Sequence, residues 1–149
     1  MLCSRSRRLL AALFLPLVAA CGGGGSVEPA ADGAPVGELR RVDLSGDQAA
    51  DRAQLARLEE RVRTLARTDG CAAGACDVIA VGAKACGGPR YYVAYCRTST
   101  DVPALEATVA ELARFERLFN ERYGIVTTCD FVMRPDVGAS GGSCRLATP

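Results

Sequence analysis

Six cysteines fall between residues 71 and 144 of a 149-residue chain that contains no histidine and no tryptophan. No other feature constrains the fold as strongly. About 105 residues with little aromatic content build only a modest apolar core, and small domains of that kind are commonly stapled. Cys71, Cys76, Cys86, Cys96, Cys129 and Cys144 form an even set. In an oxidising compartment they predict three disulfides, each contributing about 2–4 kcal/mol. Six cysteines allow fifteen pairings, and spacing does not choose among them. A metal cluster is the rival use. It lacks a C-x-x-C pair, since four residues separate Cys71 from Cys76, and the chain offers no imidazole ligand. No metal and no cofactor are expected.

The amino-terminal residues set the compartment. Arg5, Arg7 and Arg8 precede the apolar run LLAALFLPLVAA at residues 9–20. The run is shorter than the roughly 20 residues that span a hydrocarbon core, and its basic start and small-residue end are those of an export signal. The string Val18-Ala19-Ala20-Cys21 resembles the lipobox of bacterial lipoproteins. That resemblance implies removal of residues 1–20 and acylation of Cys21, palmitate included. It also implies a membrane anchor in the cell envelope. Gram-negative lipoproteins retained in the inner membrane tend to carry an aspartate after this cysteine. Gly22 stands there instead, which implies the outer membrane, facing the periplasm, if the host is Gram-negative. The alternative is an ordinary secretory signal with Cys21 as a plain thiol.

After Cys21 comes GGGGSVEPAADGAPVGE, rich in Gly, Pro and Ala and without apolar periodicity. Residues 21–44 therefore read as the lipidated cysteine and a flexible tether, with an end-to-end distance of roughly 25 Å. With Arg5, Arg7 and Arg8 removed, fifteen basic side chains face seventeen acidic ones, a net charge of about −2. That is not the basic footprint of a nucleic-acid binder.

Two helices and three strands are expected beyond the tether. Residues 45–70 carry Leu55, Leu58, Val62 and Leu65 at helical spacing, with Ser45 or Asp47 as the start cap and Gly70 past the end. The stripe is narrow. It suits a helix laid on its own domain, at an edge or partly free, or a short seam for a partner, and two heptads do not establish an oligomer. DVIAVG at 77–82 and RYYVAYC at 90–96 read as strands, with GAKACGGP at 82–89 as the loop between them. Residues 99–124 form the clearest helix: Thr100 or Asp101 caps it, Pro103 fits its first turn, and Leu105, Val109, Leu112, Phe115 or Glu116, and Phe119 follow one face. IVTTCDFVMRP at 125–135 alternates Ile125, Thr127, Cys129, Phe131 and Met133 and reads as a third strand, and the tail DVGASGGSC reads as loop. The expected fold is α+β: a small, largely antiparallel three-stranded sheet in the order β-β-α-β, one helix across it, an additional amino-terminal helix, and disulfide staples within residues 71–149.

Catalytic chemistry finds little footing. Without histidine there is no ordinary general base near neutral pH and no Ser-His or Cys-His pair. Glu106, Glu111, Glu116 and Glu121 read as the solvated side of a helix, and Asp77, Asp130 and Asp136 as strand-end or loop residues. No phosphate-binding loop spacing is present. A thiol oxidoreductase would want C-x-x-C at a helix start, which the chain lacks. No catalytic residue is assigned.

The loop at 82–89 is the one stretch with a functional look. It holds Lys84, the only lysine, beside Cys86 and the rigid Gly87-Gly88-Pro89. A clamped loop loses little entropy on binding. It is either a hairpin turn that needs glycine or the basic loop of an inhibitor of a protease or cell-wall hydrolase. The run CGGPRYYVAY, with FNERYG later, resembles small, uncharacterised cysteine-bearing proteins of bacterial envelopes, and that resemblance implies location but no activity. The reading is a non-enzymatic, lipid-anchored binding module with the membrane and an envelope protein as partners. The inhibitor reading is its alternative.

Overall fold

A computed structural model describes residues 41–147. The stretch read as an export signal, Cys21, and the stretch read as a tether as far as residue 40 lie outside the described residues. The order of elements is α1 (Gln48–Leu65), β1 (Cys76–Val81), β2 (Tyr91–Cys96), α2 (Val102–Arg122), β3 (Val137–Ser140) and β4 (Ser143–Leu146). None of the described helices is long and apolar enough to cross a membrane.

Both helices start where their side chains supply an acceptor for orphan N–H groups. Asp47 caps α1 by accepting from the Ala50 N–H at 2.7 Å, and Asp101 caps α2 by accepting from Ala104 at 3.1 Å with proline in the first turn. Ser45, the other candidate cap, instead donates both its N–H and its hydroxyl to Asp51 Oδ1, at 2.8 and 2.7 Å.

α1 belongs to the main core. Leu58, Val62 and Ala66 pack with Val81 and Tyr95 of the hairpin and with Leu105, Val109, Leu112 and Phe115 of α2. Val42 and Leu44, at the end of the stretch read as tether, pack partly against the same cluster. Glu111 holds the backbone there, accepting from Val42 N at 2.8 Å.

β1 and β2 form an antiparallel hairpin with Cys76 opposite Cys96 and Val81 opposite Tyr91. A third strand does not join it, and the expectation of one three-stranded sheet is incorrect. Among the described residues there are two separate two-stranded sheets, β1–β2 and β3–β4. Residues 125–135 are not a strand. Their alternation mimics a half-buried strand, but no surface covers the apolar side: Phe131 is 85% exposed and Met133 73% exposed. Among the described residues, 126–135 makes no backbone–backbone hydrogen bond, and an alternating pattern without a ladder partner does not make a strand.

The second hairpin occupies the tail that reads as loop. Gly141 and Gly142 form its two-residue turn, both with positive φ (60° and 76°), the geometry that favours glycine at both central positions. One disulfide fixes this hairpin to the first, and a second ties the preceding segment to β2. Cys76 of β1 bonds Cys144 of β4, and Cys71 bonds Cys96 of β2. Backbone bonds from Cys144 N to Thr68 O (2.9 Å) and from Cys71 N to Gly142 O (3.0 Å) run alongside. Cys71, Ala94, Cys96 and Cys144 make a second small core. The span from α2 to β3 thereby becomes a connection over the surface.

Candidate functional site

The 82–89 loop is held from below by α2. Glu116 Oε2 accepts the Ala83 N–H at 2.7 Å, and Asn120, one turn on, donates to the Ala83 carbonyl at 2.9 Å. Both backbone groups of one loop residue are thus satisfied by one helix face. Gly82, at φ +80°, has no room for a side chain, since a Cβ there would lie 2.7 Å from both Arg90 Nε and Glu116 Oε2. The loop then closes on itself: Lys84 N donates to Gly88 O at 3.0 Å and Gly87 N to Lys84 O at 3.0 Å. Gly87 and Gly88 both adopt positive φ, and Pro89 leads back into β2.

Arg90 ties this base to both helices. Its Nε lies 2.5 Å from Glu116 Oε1, a charge contact without hydrogen-bond alignment, and its guanidinium pairs with Glu59 of α1. It also lies 5.5 Å from the centre of the Tyr91 ring, within cation–π range. Glu116 is only 6% exposed, so its reading as part of a solvated helix side is incorrect. Glu111 is half-buried as well, bonded to Arg114 and the Val42 N–H. Glu106 and Glu121 are exposed, as expected. Glu59 and Glu116 do face one cleft, but both are neutralised by the same arginine and Glu116 also holds the Ala83 N–H. The cluster is built to hold a loop.

Lys84 does not protrude. It is half-buried, and its ammonium donates to the Asp130 carbonyl. That contact brings residues 125–133 against the loop. Lys84, Cys86, Pro89, Cys129, Phe131 and Val132 surround a hollow of about 320 Å³, at the bottom of the range for small-molecule clefts and better suited to one side chain of a partner. Val126 (91% exposed), Phe131 and Met133 project from the same segment into solvent. Sequence reading placed Phe131 and Met133 on one face of a third strand and did not single them out as surface residues.

Of the six cysteines expected to pair, four form the two disulfides. Cys86 and Cys129 are free and exposed. They line the same hollow, and Cys86 Sγ lies 3.6 Å from the carbonyl of Thr128, the residue before Cys129. The neighbouring Cys129 thiol holds the Cys86 thiol below its ordinary value against the upward push of burial, with Thr127 and Lys84 assisting. Cys86 and burial together raise Cys129.

The chain matches no protein-family model, no curated protein and no solved structure.

Proposed function

We propose that the chain is a lipid-anchored protein of the bacterial envelope whose domain is a non-enzymatic binding module. In this reading Cys21 carries the anchor and the binding face is the 125–133 segment beside the 82–89 loop. The observation that carries it is the exposure of Val126, Phe131 and Met133 within one short stretch. Large apolar side chains grouped on a surface mark contact sites. A partner that covers them would be an envelope protein presenting an apolar side chain to the hollow beside Pro89. The fixed loop supports the reading, because a pre-formed edge loses little entropy on docking. The inhibitor alternative requires a presented Lys84, and the lysine that donates to Asp130 gives it no support.

The test is cross-linking of the full chain in its own membranes, comparing wild type with the double variant Phe131→Asp/Met133→Asp. A discrete cross-linked partner that disappears in the double variant is the expected result. An unchanged adduct, or none with wild type, would remove the binding-face reading. Cys21→Ser tests the anchor independently: the variant should leave the membrane fraction or retain its signal.

A further inference from the structure

Cys86 and Cys129 meet across the candidate face on two different kinds of support. Cys86 belongs to the turn that Glu116 and Asn120 anchor to α2. Cys129 belongs to a segment that, among the described residues, has no backbone ladder. Cys86 Sγ lies 3.6 Å from the Thr128 carbonyl and 3.9 Å from Thr127 Oγ1, on the two residues that precede Cys129. Lys84 grips the carbonyl of Asp130, the next residue along. A fixed thiol thus faces a thiol on a span that can adjust, and both are open to solvent. The four bonded cysteines differ: Cys71, Cys96 and Cys144 are buried, Cys76–Cys144 joins the two hairpins, and Cys71–Cys96 ties the segment before β1 to β2.

We propose that Cys86 and Cys129 are an exchangeable dithiol–disulfide site that reacts with small disulfides and thiols, Cys86 attacking first and Cys129 closing the bond. The Cys86 thiolate attacks one sulfur of a small disulfide RS–SR. The S–S bond breaks, RS⁻ leaves, and a mixed disulfide forms on Cys86. Cys129, giving its proton to solvent, attacks the Cys86 sulfur and expels the second RS⁻. The two protein thiols together lose two electrons and two protons, and the small disulfide leaves as two RSH. The reverse reaction reopens the pair.

The order of attack follows from the site. The neighbouring Cys129 thiol, the Thr127 hydroxyl 3.9 Å away and the positive Lys84 favour the thiolate on Cys86, and a thiolate there disfavours a second one on Cys129. Closing the bond ties Phe131, two residues beyond Cys129, to the 82–89 turn. That consequence rests on the binding-face reading, whereas the test below reads the sulfurs alone.

The full chain is equilibrated across graded ratios of reduced to oxidised glutathione, quenched in acid, alkylated and mapped by peptide mass. Cys86 and Cys129 should open and close together over a range in which Cys71, Cys76, Cys96 and Cys144 stay bonded. In Cys129→Ser, glutathione should remain on Cys86. It should add there roughly tenfold or more faster than to Cys129 in Cys86→Ser. A pair that stays reduced at every ratio, a bond that opens only with the buried two, or equal rates of adduct formation in the two single variants would overturn the proposal.

Discussion

The Tyr123 hydroxyl donates to Asp51 Oδ2 at 2.7 Å, joining the C-cap of the second helix to the first turn of the first. Asp51 is only 2% exposed and also accepts from Ser45 and Gly46. Burial pushes its carboxyl up, and the bonds from Tyr123, Ser45 and Gly46 outweigh that, so it lies below its ordinary 3.8. The bond to Asp51, burial and the nearby carboxylate charge together raise Tyr123 above 10.0.

A pH dependence follows from those two directions. A carboxylate depressed in the folded state contributes stability that is present above its unfolded value and lost as pH falls through the folded one. A phenol raised in the folded state contributes stability that is present below its unfolded value, near 10.0, and lost as pH rises further. Thermal unfolding followed against pH should therefore show an acid limb below about 4 that flattens in Asp51→Asn. It should show an alkaline limb that flattens in Tyr123→Phe. Part of the acid limb should survive Asp51→Asn, because hydrogen bonds from Arg114 also hold Glu111 low.

The loop anchor makes a second expectation. Glu116→Ala leaves the Ala83 N–H without its partner and removes one carboxylate from Arg90. Arg90 keeps Glu59, so the main loss is the unsatisfied Ala83 N–H, about 1–3 kcal/mol. Gly82→Ala should cost about 2 kcal/mol or more, since it forces a side chain into positive φ against Arg90 and Glu116. Urea unfolding measures both. Losses below about 0.5 kcal/mol in both variants would mean that the loop does not depend on this cluster.

Burial separates the aromatic residues in a third. Phe115 is fully buried, and Phe115→Ala should cost about 3–5 kcal/mol, with Leu58→Ala costing about 2–5 kcal/mol as a member of the same core. Phe131→Ala should change stability by no more than about 0.5 kcal/mol. A large loss at Phe131 would place its ring inside the fold.

The sequence was most legible where local chemistry decides the outcome. Asp47, Asp101 and Pro103 mark helix starts, and the apolar stripe Leu105, Val109, Leu112 marks the inward face. Glu116 was ambiguous because it continues that stripe while being charged. Its burial depends on Arg90 and Ala83, which arrive from a distant hairpin, and helical phase was the one signal available. Residues 125–135 misled because alternation describes a strand only if a ladder and a cover exist. The cover was absent, and Cys144 brought a different segment to β1. Gly141-Gly142 between serines was a readable hairpin turn, obscured by the glycine-rich tail around it. The pairing of Cys71 with Cys96 depends on topology alone.

Met133 offers the most direct reading of the binding face, since its side chain is 73% exposed and gains 16 Da on oxidation to the sulfoxide. Its rate of oxidation by dilute peroxide should be measured by peptide mass in intact envelopes and in the purified full chain. If the 125–133 segment docks a partner, Met133 should oxidise several-fold more slowly in the envelope than in the purified protein, and the difference should vanish in Phe131→Asp. Equal rates in the two settings would contradict the assignment of this segment as the contact surface.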